Sequence, residues 1–247
     1  MSIFNKPRLL IGVLACHHRA PHLSVCRETW IPATKNICDY KFFFGRGSHE
    51  NPQADEVTLD CDDAYRGLAC KVQEVCRWAL SQGYEYLFKA DDDTYVRPER
   101  VMHADFEGYD LVGRKHGKTD RYHGCDYPRG GSGYYLSRRA MQVVADYHTP
   151  NPDDPSEYAE DAFIGKVMLQ AGIECHDNPN LRVAEMSGPG RTPRPNGFQG
   201  WKKDCPTQYN TFITVCEFLG SEMYGPHKEW TQSMDKHSAL MGKLRVR

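Results

Sequence analysis

The residues best suited to chemistry are three consecutive aspartates, Asp91, Asp92 and Asp93. Three adjacent carboxylates after an apolar strand repel one another and cannot all be buried as charges. A hard divalent cation such as Mn²⁺ or Mg²⁺ relieves this repulsion and commonly bridges carboxylates to a diphosphate. The alternative is a solvated acidic turn, since aspartate is common in turns. The triplet therefore predicts a site for a metal ion and a diphosphate.

Two later segments offer other polar groups. Gly130 and Gly131 lie in a loop whose small residues and backbone N–H groups let an oxygen-rich ligand approach closely, although a plain turn before a strand is the alternative. Glu160 and Asp161 stand near a predicted helix start. Carboxylates there can accept hydrogen bonds from the first helical turn, or act as a general base toward a hydroxyl group. The two roles are compatible.

Alternating apolar strands and amphipathic helices predict an α/β layered fold that positions these residues. Strands are expected at 9–15, 40–44, 56–59, 84–90, 111–113 and 133–137, and helices at 68–81, 138–147 and 161–171. Ser137 is expected to cap the second helix, and the glycine- and proline-rich residues 187–200 indicate a long loop. Because the aspartates directly follow a strand, they should lie at the carboxyl edge of the sheet, where open α/β sheets bind ligands.

Five short blocks, in the same order, resemble the β-1,3-glycosyltransferase superfamily of the GT-A fold (glycosyltransferase family 31-like), which includes core 1 β-1,3-galactosyltransferase and Fringe. The blocks are Arg27-Glu28-Thr29-Trp30 (R-x-T-W), Asp63 to Leu68 with Lys71 (D-x-Y-x-N-L-x-x-K, with Gly67 at the asparagine position), Phe88 to Val96, Gly130 to Ser137 (G-G-x-G-Y-x-L-S), and Glu160-Asp161 with Gly165 (E-D-x-x-x-G). The third block is especially similar to the core 1 sequence.

The resemblance implies a single-domain GT-A fold, a Rossmann-like mixed sheet flanked by helices. It also implies an inverting, metal-dependent hexosyltransferase that moves galactose or a related hexose from a UDP-sugar to a hydroxyl acceptor, such as a glycan or glycoconjugate, with a β-linkage. Residues 1–100 would mainly bind the nucleotide sugar, and residues 101–247 would mainly provide the acceptor site and the base.

The resemblance also implies roles for particular side chains. Asp91 and Asp93 would bind Mn²⁺ or Mg²⁺, and Asp92 would face the donor. Asp161 would be the catalytic base, with Glu160 as its rival. The remaining donor-binding candidates, near the nucleotide or its phosphates, are Arg27, Lys71, Gly130 and Gly131. For Arg27 and Lys71 a structural role is the alternative.

The sequence departs from the family at a late metal-binding histidine, usually in a setting such as I-T-x-H. Cys216 stands at that position. A thiolate is a soft ligand and a poor partner for Mn²⁺ or Mg²⁺. Several alternatives remain open: water completes the metal site, His176 or His227 reaches it, the metal is held weakly, or Cys216 is simply a small buried residue.

The net charge and the length of the apolar segments limit the partners and the cellular compartment that the sequence supports. The net charge of −2 provides no global positive field for nucleic acid or anionic lipid. Local basic segments at 114–118 and 191–203 leave a nucleic-acid acceptor open, although a solvated surface is the commoner meaning of such segments. The apolar run 9–15 is too short to span a membrane. The chain is therefore expected to be cytoplasmic, with the Golgi or ER lumen as the alternative if a membrane anchor has been removed.

The ten cysteines include no C-x-x-C pair, which argues against a structural zinc site and favours free, buried thiols, with disulfides as the alternative. Two rival functions stay open. One is a catalytically weak or inactive sugar-nucleotide-binding protein of the same fold. The other is a viral-type glycosyltransferase that acts on a modified nucleic-acid base. A nuclease or phosphoryl-transfer enzyme would need a nucleophile motif or a basic groove, and neither is evident.

Overall fold

The computed structural model describes residues 7–47, 52–116, 125–183 and 214–216. The strands are β1 (Leu9–Leu14), β2 (Asp39–Phe44), β3 (Glu56–Thr58), β4 (Tyr86–Asp91), β5 (Thr94–Val96), β6 (Leu111–Gly113), β7 (Tyr134–Ser137), β8 (Cys175–Asp177), β9 (Leu181–Val183) and β10 (Thr214–Cys216). The α-helices are α1 (Ala20–Glu28), α2 (Leu68–Ser81), α3 (Pro98–Val101), α4 (Arg138–Asp146), α5 (Pro155–Tyr158) and α6 (Glu160–Gln170).

A seven-stranded mixed sheet organises the molecule, in the order β3-β2-β1-β4-β7-β6-β8. Strand β7 is antiparallel to both neighbours, β4 and β6, and the other pairings are parallel. A smaller sheet, β5-β10-β9, lies beyond the carboxyl end of β4. The predicted class, a Rossmann-like mixed α/β sheet flanked by helices, is confirmed.

Strand β1 shows why the sheet is covered on both faces. Its residues are all buried, and they alternate between two apolar cores. Ile11 and Val13 pack with residues of α1, whereas Leu10 and Leu14 pack with residues of α2, α4 and α6. Because successive side chains of a strand point to opposite faces, a continuous apolar run requires helices on both sides.

The order of the strands creates a ligand site by topology. The chain runs from β1 outward to β2 and β3 and then returns to β4 on the other side of β1. At such a switch point the loops after the two neighbouring strands diverge and leave a crevice at their carboxyl ends. Residues 15–19, after β1, and residues 91–93, at the end of β4, meet there.

The predicted elements agree closely with the structure where the pattern is long. Helix α2 has the predicted bounds, and the Ser137 side chain accepts a hydrogen bond from the Ala140 N–H, as expected of a cap. Strand β4 begins at Tyr86 rather than at residue 84 and includes Asp91. Helix α6 begins one residue earlier than predicted, at Glu160. The loop expected at 187–200 lies outside the described residues.

The described cysteines are all free thiols, and five of them are buried, as predicted. Cys205 and the side chain of Cys216 lie outside the described part of the chain. Within the ranges that the structure covers, no helix combines the length and the apolar composition needed to cross a membrane.

Candidate active site

The three aspartates at the end of β4 differ in exposure. Asp91 closes the strand, and its side chain is 29% exposed. Asp92 points inward and is 3% exposed, while the side chain of Asp93 in the following turn is 16% exposed. Asp92 and Asp93 both lie in the turn after the strand, and the turn directs one carboxylate inward and leaves the other partly exposed. Asp91 and Asp93 are therefore the two carboxylates that a ligand in the crevice can reach.

Arg19, at the end of the turn after β1, pairs with two of these aspartates. Its Nη2 lies 3.0 Å from Asp92 Oδ1 and donates to Asp93 Oδ2 at 2.8 Å. His22 Nδ1 lies 3.1 Å from the same Nη2 and 3.6 Å from Asp92 Oδ1. The loop after β1 thus supplies a cation directly at the aspartate triplet.

Lys89 forms a second charged cluster on the other side of Asp91. Its side chain is 1% exposed, and its Nζ lies 2.7 Å from Asp91 Oδ1 and 3.1 Å from Glu160 Oε2. The same Nζ donates to the Gly130 carbonyl at 3.2 Å. We call Lys89, Asp91, Glu160 and Asp161 the Lys89 cluster. It joins the end of β4 to the start of α6.

Glu160 and Asp161 have different surroundings despite their adjacency. Both carboxylate oxygens of Glu160 are occupied, one by the Tyr134 hydroxyl and the other by Lys89. Glu160 is buried, at 7% exposure. Asp161 is only partly buried and accepts weaker backbone bonds, from the Gly130 N–H at 3.3 Å and the Ala162 N–H at 2.8 Å. Of the two, Asp161 is the more exposed, and it accepts hydrogen bonds from backbone N–H groups alone.

The glycine loop is packed tightly against these acids. A Cβ on Gly130 would stand 2.8 Å from Glu160 Oε2, so a side chain there would push the acid away from Lys89. Gly133 has a φ of 77°, in the left-handed region that favours glycine. The Gly131 carbonyl accepts a hydrogen bond from Thr94 Oγ1 at 3.0 Å, which ties the loop to β5. The loop therefore approaches protein carboxylates closely.

Among the residues that the structure describes, negative charge exceeds positive charge in this crevice. The strong bases of this set are Arg19 and Lys89, and its acids are Asp91, Asp92, Asp93, Glu160 and Asp161. Burial raises the pKa of Asp91, Glu160 and Asp161, and each also feels a neighbouring carboxylate, whereas Lys89 acts against the rise. Crowded acids of this kind are typical of functional sites.

These residues fit a divalent cation in composition and charge. Carboxylate oxygens are the ligands that Mg²⁺ and Mn²⁺ prefer, and the crevice has an uncompensated negative charge. Within the described ranges, no three His, Cys, Asp or Glu side chains form a ready-made metal site. A cation held here would take Asp91 and Asp93 from the protein and its other ligands from a diphosphate or from water, as Mg²⁺ commonly does.

The predicted donor residues Arg27 and Lys71 have the contacts of structural residues. Arg27 forms a two-pronged ion pair with Asp55, at 3.0 and 2.7 Å, and its Nη2 lies 2.7 Å from Glu56 Oε1. Lys71 is fully buried; its Nζ donates to the Ala15 carbonyl at 2.6 Å and to Asp63 Oδ1 at 2.8 Å. Arg27 ties α1 to β3, and Lys71 ties α2 to the end of β1.

The backbone places Cys216 beside the aspartates. In the small sheet, Cys216 is in register with Thr94, the residue after Asp93. His176 is not a candidate to replace the family's histidine. It lies in β8 and stacks on Tyr109 at 3.9 Å between ring centroids, and β8 is three strands from β4, or about 14 Å at the usual strand spacing. His227 lies outside the described residues.

The predicted basic segments are only partly described. Arg114 Nη1 lies 2.9 Å from Asp177 Oδ2, and Lys115 Nζ lies 3.7 Å from Asp126 Oδ2, so both charges have acidic partners. Residues 117–118 and 191–203 lie outside the described part. The described basic residues therefore form no unpaired positive groove.

Sequence reasoning missed Arg19, Lys89 as a cluster centre, and Tyr134. A signal existed for Arg19, because it follows the first strand of a parallel sheet and so had to lie near the switch point. In the sequence, Lys89 is a single charged residue within a buried strand. Because a buried lysine requires acidic partners, its position indicated a cluster of acids nearby. The Tyr134 hydroxyl could not be assigned, since its partner is 26 residues away in sequence.

The similarity of this chain to known proteins is one of architecture. No family model matches the chain. Among solved structures, the catalytic domain of Drosophila β1,4-galactosyltransferase 7, in complex with xylobiose, is similar with a TM-score of 0.44 and 12% sequence identity. The match covers 70% of this chain and 65% of that one, so the chain spans less than two thirds of the structure that it matches.

Proposed function

We propose that the protein is a metal-dependent glycosyltransferase of the GT-A type, which transfers a hexose from a UDP-sugar to a hydroxyl acceptor with inversion, and thus with a β-linkage. One observation carries the proposal. Asp91, the first of the aspartates at the end of β4, is joined through Lys89 and Gly130 to Asp161, a partly exposed carboxylate with incomplete hydrogen bonding. Acids for a donor's metal and a base for an acceptor thus lie in one network.

The donor side consists of Asp91 and Asp93. They would hold Mn²⁺ or Mg²⁺ together with the diphosphate, and the bound ion would stabilise the charge that develops on the leaving UDP. Asp92 is paired with Arg19 and positions that arginine in the crevice. Residues 1–100 supply these donor groups, and residues 101–247 supply the glycine loop and the base.

The acceptor side centres on Asp161. Transfer with inversion is a single displacement, which needs the acceptor hydroxyl to lose its proton as the sugar bond breaks. Asp161 accepts that proton. Glu160 keeps Lys89 and Tyr134 in place, because both of its oxygens are already engaged.

A second candidate function is sugar-nucleotide binding without turnover. The register of Cys216 with Thr94 favours it, because a thiol stands where the resembling family has a metal ligand. A nucleic-acid base as the acceptor has less support, since Arg114 and Lys115 are paired with acids.

The test is a donor screen. UDP release from a panel of UDP-hexoses is measured with and without Mn²⁺, for the wild type and for Asp93→Ala. We expect release only with metal, and none from Asp93→Ala although its thermal unfolding is unchanged. Asp153→Asn, at an exposed ion pair with Arg66, is the control for a lost carboxylate.

The outcomes separate the candidates. UDP binding without release from any donor would support the non-catalytic function. Full activity of Asp93→Ala in chelator-treated buffer would exclude the metal-dependent mechanism. Release stimulated only by a nucleic acid would favour a base acceptor.

A further inference from the structure

We propose that Arg19 is a displaceable counterion of the active site: it neutralises Asp92 and Asp93 in the donor-free enzyme and binds the donor's diphosphate in the loaded one. The inference rests on the proposed function and assigns this site a residue that links metal binding to nucleotide binding.

The contacts of Arg19 leave much of its guanidinium available. Its ion pair with Asp92 and its hydrogen bonds with Asp93 and His22 all involve one nitrogen, Nη2. Among the described residues, Nε and Nη1 have no acceptor within hydrogen-bonding distance, and the side chain is 35% exposed. A guanidinium has five N–H donors, and two parallel ones match two phosphate oxygens. The arginine thus presents an anion-binding edge to the crevice.

The backbone places this edge where an anion is expected. Arg19 ends the turn His17–Arg19 directly after β1, at the switch point beside β4. Helix α1 begins at the next residue, and the Arg19 side chain makes no cap hydrogen bond to it. The partial positive charge at the start of this helix adds to that of the guanidinium.

Arg19 and a metal ion compete for the same acid. Asp93 Oδ2 accepts from Arg19 at 2.8 Å, and Asp93 is also one of the two carboxylates proposed to bind the ion. A metal ion that binds alone must displace the Arg19 guanidinium from Asp93, and the guanidinium gains no new partner in exchange. A diphosphate that arrives with the ion supplies that partner. Metal and nucleotide should therefore strengthen each other's binding, and by linkage the effect is reciprocal.

A purely structural ion pair would behave differently. Removing Arg19 would then weaken metal and nucleotide binding together, through loss of order, or would change neither. The competition makes the opposite prediction for the two ligands. Without Arg19, Mn²⁺ alone binds more tightly, because Asp93 is released, whereas UDP binds less tightly.

The experiment measures Mn²⁺ binding from the electron paramagnetic resonance signal of the free ion, and UDP binding by calorimetry at saturating Mn²⁺. The proteins are the wild type, Arg19→Ala and Arg19→Lys. Arg139→Ala removes an arginine of α4 that is paired with Asp110, and it controls for the change in net charge. We expect Arg19→Ala to bind Mn²⁺ alone at least threefold more tightly and UDP at least tenfold more weakly. Arg139→Ala should match the wild type in both.

Arg19→Lys keeps the positive charge next to the nearly buried Asp92, so it guards against a folding defect. A lysine lacks the planar fork, and we expect UDP affinity to fall severalfold with an unchanged unfolding temperature. Wild-type UDP affinity in this variant, or parallel changes of both affinities in Arg19→Ala, would overturn the inference while the proposed function stands. A wild type that binds no UDP with Mn²⁺ would overturn both.

Discussion

Two acidic residues four positions apart, Glu157 in α5 and Asp161 in α6, show how the surroundings of a carboxylate separate anchoring from chemistry. Glu157 accepts hydrogen bonds from Lys166 at 2.5 Å, the Asn151 N–H at 2.9 Å and His148 at 3.2 Å. Burial alone would raise its pKa, but these donors outweigh burial and lower the pKa to about 2. Glu157 is thus an acid whose charge the fold satisfies.

The Lys89 cluster has the opposite character. Asp91 and Glu160 share a single lysine, Asp161 accepts bonds only from backbone N–H groups, and burial raises the pKa of all three acids. An acid that is short of donors is ready to accept a proton or a cation, whereas a saturated acid is not. The comparison teaches that the number of hydrogen-bond donors around a carboxylate, rather than its residue type, distinguishes Glu157 from the acids of the Lys89 cluster.

The largest expected effect comes from Asp161→Asn. The amide cannot accept the acceptor's proton, so kcat should fall by about 10²–10⁴-fold while UDP affinity is kept. Glu157→Gln is the matched variant from the saturated group, and its kcat should stay within about threefold of the wild type. Steady-state UDP release and calorimetry measure the two quantities. Loss of UDP binding in Asp161→Asn would make Asp161 a structural residue.

The next effect concerns stability. Lys89→Met leaves the buried Glu160 and the partly exposed Asp91 without their cation, and breaking a buried pair costs about 3–5 kcal/mol of unfolding free energy. Lys166→Met should cost about 1 kcal/mol or less, because Glu157 keeps His148 and the Asn151 N–H. Guanidinium chloride denaturation compares the variants. Equal losses of unfolding free energy in the two variants would mean that Glu157 and the Lys89 cluster do not differ in their supply of hydrogen-bond donors.

Glu157→Gln tests whether the charge of Glu157 makes the stability of the protein depend on pH. A carboxyl pKa that is lower in the folded state stabilises the protein above the unfolded value of about 4.5. That contribution is lost as the pH falls from there toward 2. We expect the variant to be less stable than the wild type by about 1–2 kcal/mol at pH 7 and by less at pH 3. A difference that does not depend on pH would show that packing, not charge, is lost.

The smallest effect is metal stabilisation. Mn²⁺ at ten times its Kd should add about 1.4 kcal/mol to the wild type, and the same to Glu157→Gln, which leaves the crevice intact. Asp91→Asn should gain much less. Thermal unfolding with and without Mn²⁺ measures the shifts, with Mg²⁺ as a second ion. A full shift in Asp91→Asn would move the ion away from the end of β4.

Much of the fold could be predicted, because long elements have their own periodic pattern. The apolar run of β1, the amphipathic helix α2 and the Ser137 cap were all evident from local sequence. Helix α1 and the small sheet were not predicted. Helix α1 has a proline as its second residue and carries polar residues on a weakly apolar face, and strands β5, β9 and β10 have three residues each. Three residues carry too little pattern to distinguish a strand from a loop.

The candidate site divides in the same way. The aspartates and the Glu160-Asp161 pair could be selected from sequence, since three consecutive acids after an apolar strand and an acidic pair at a predicted helix start are local patterns. Sequence reasoning also ranked Asp161 above Glu160, but from a resemblance. The physical support for that order, the bonds from Tyr134 and Lys89 to Glu160, needed coordinates.

The sequence by itself determined which residues carry charge at the ends of strands and helices, because apolar periodicity and capping are local properties. Only the tertiary structure decided which charges meet. It placed Arg19 on Asp92 and Asp93, directed Arg27 to Asp55, and left Asp161 short of donors. The reason is physical: an ion pair acts over a few ångströms in space, whereas Arg19 and Asp93 lie 74 positions apart along the chain.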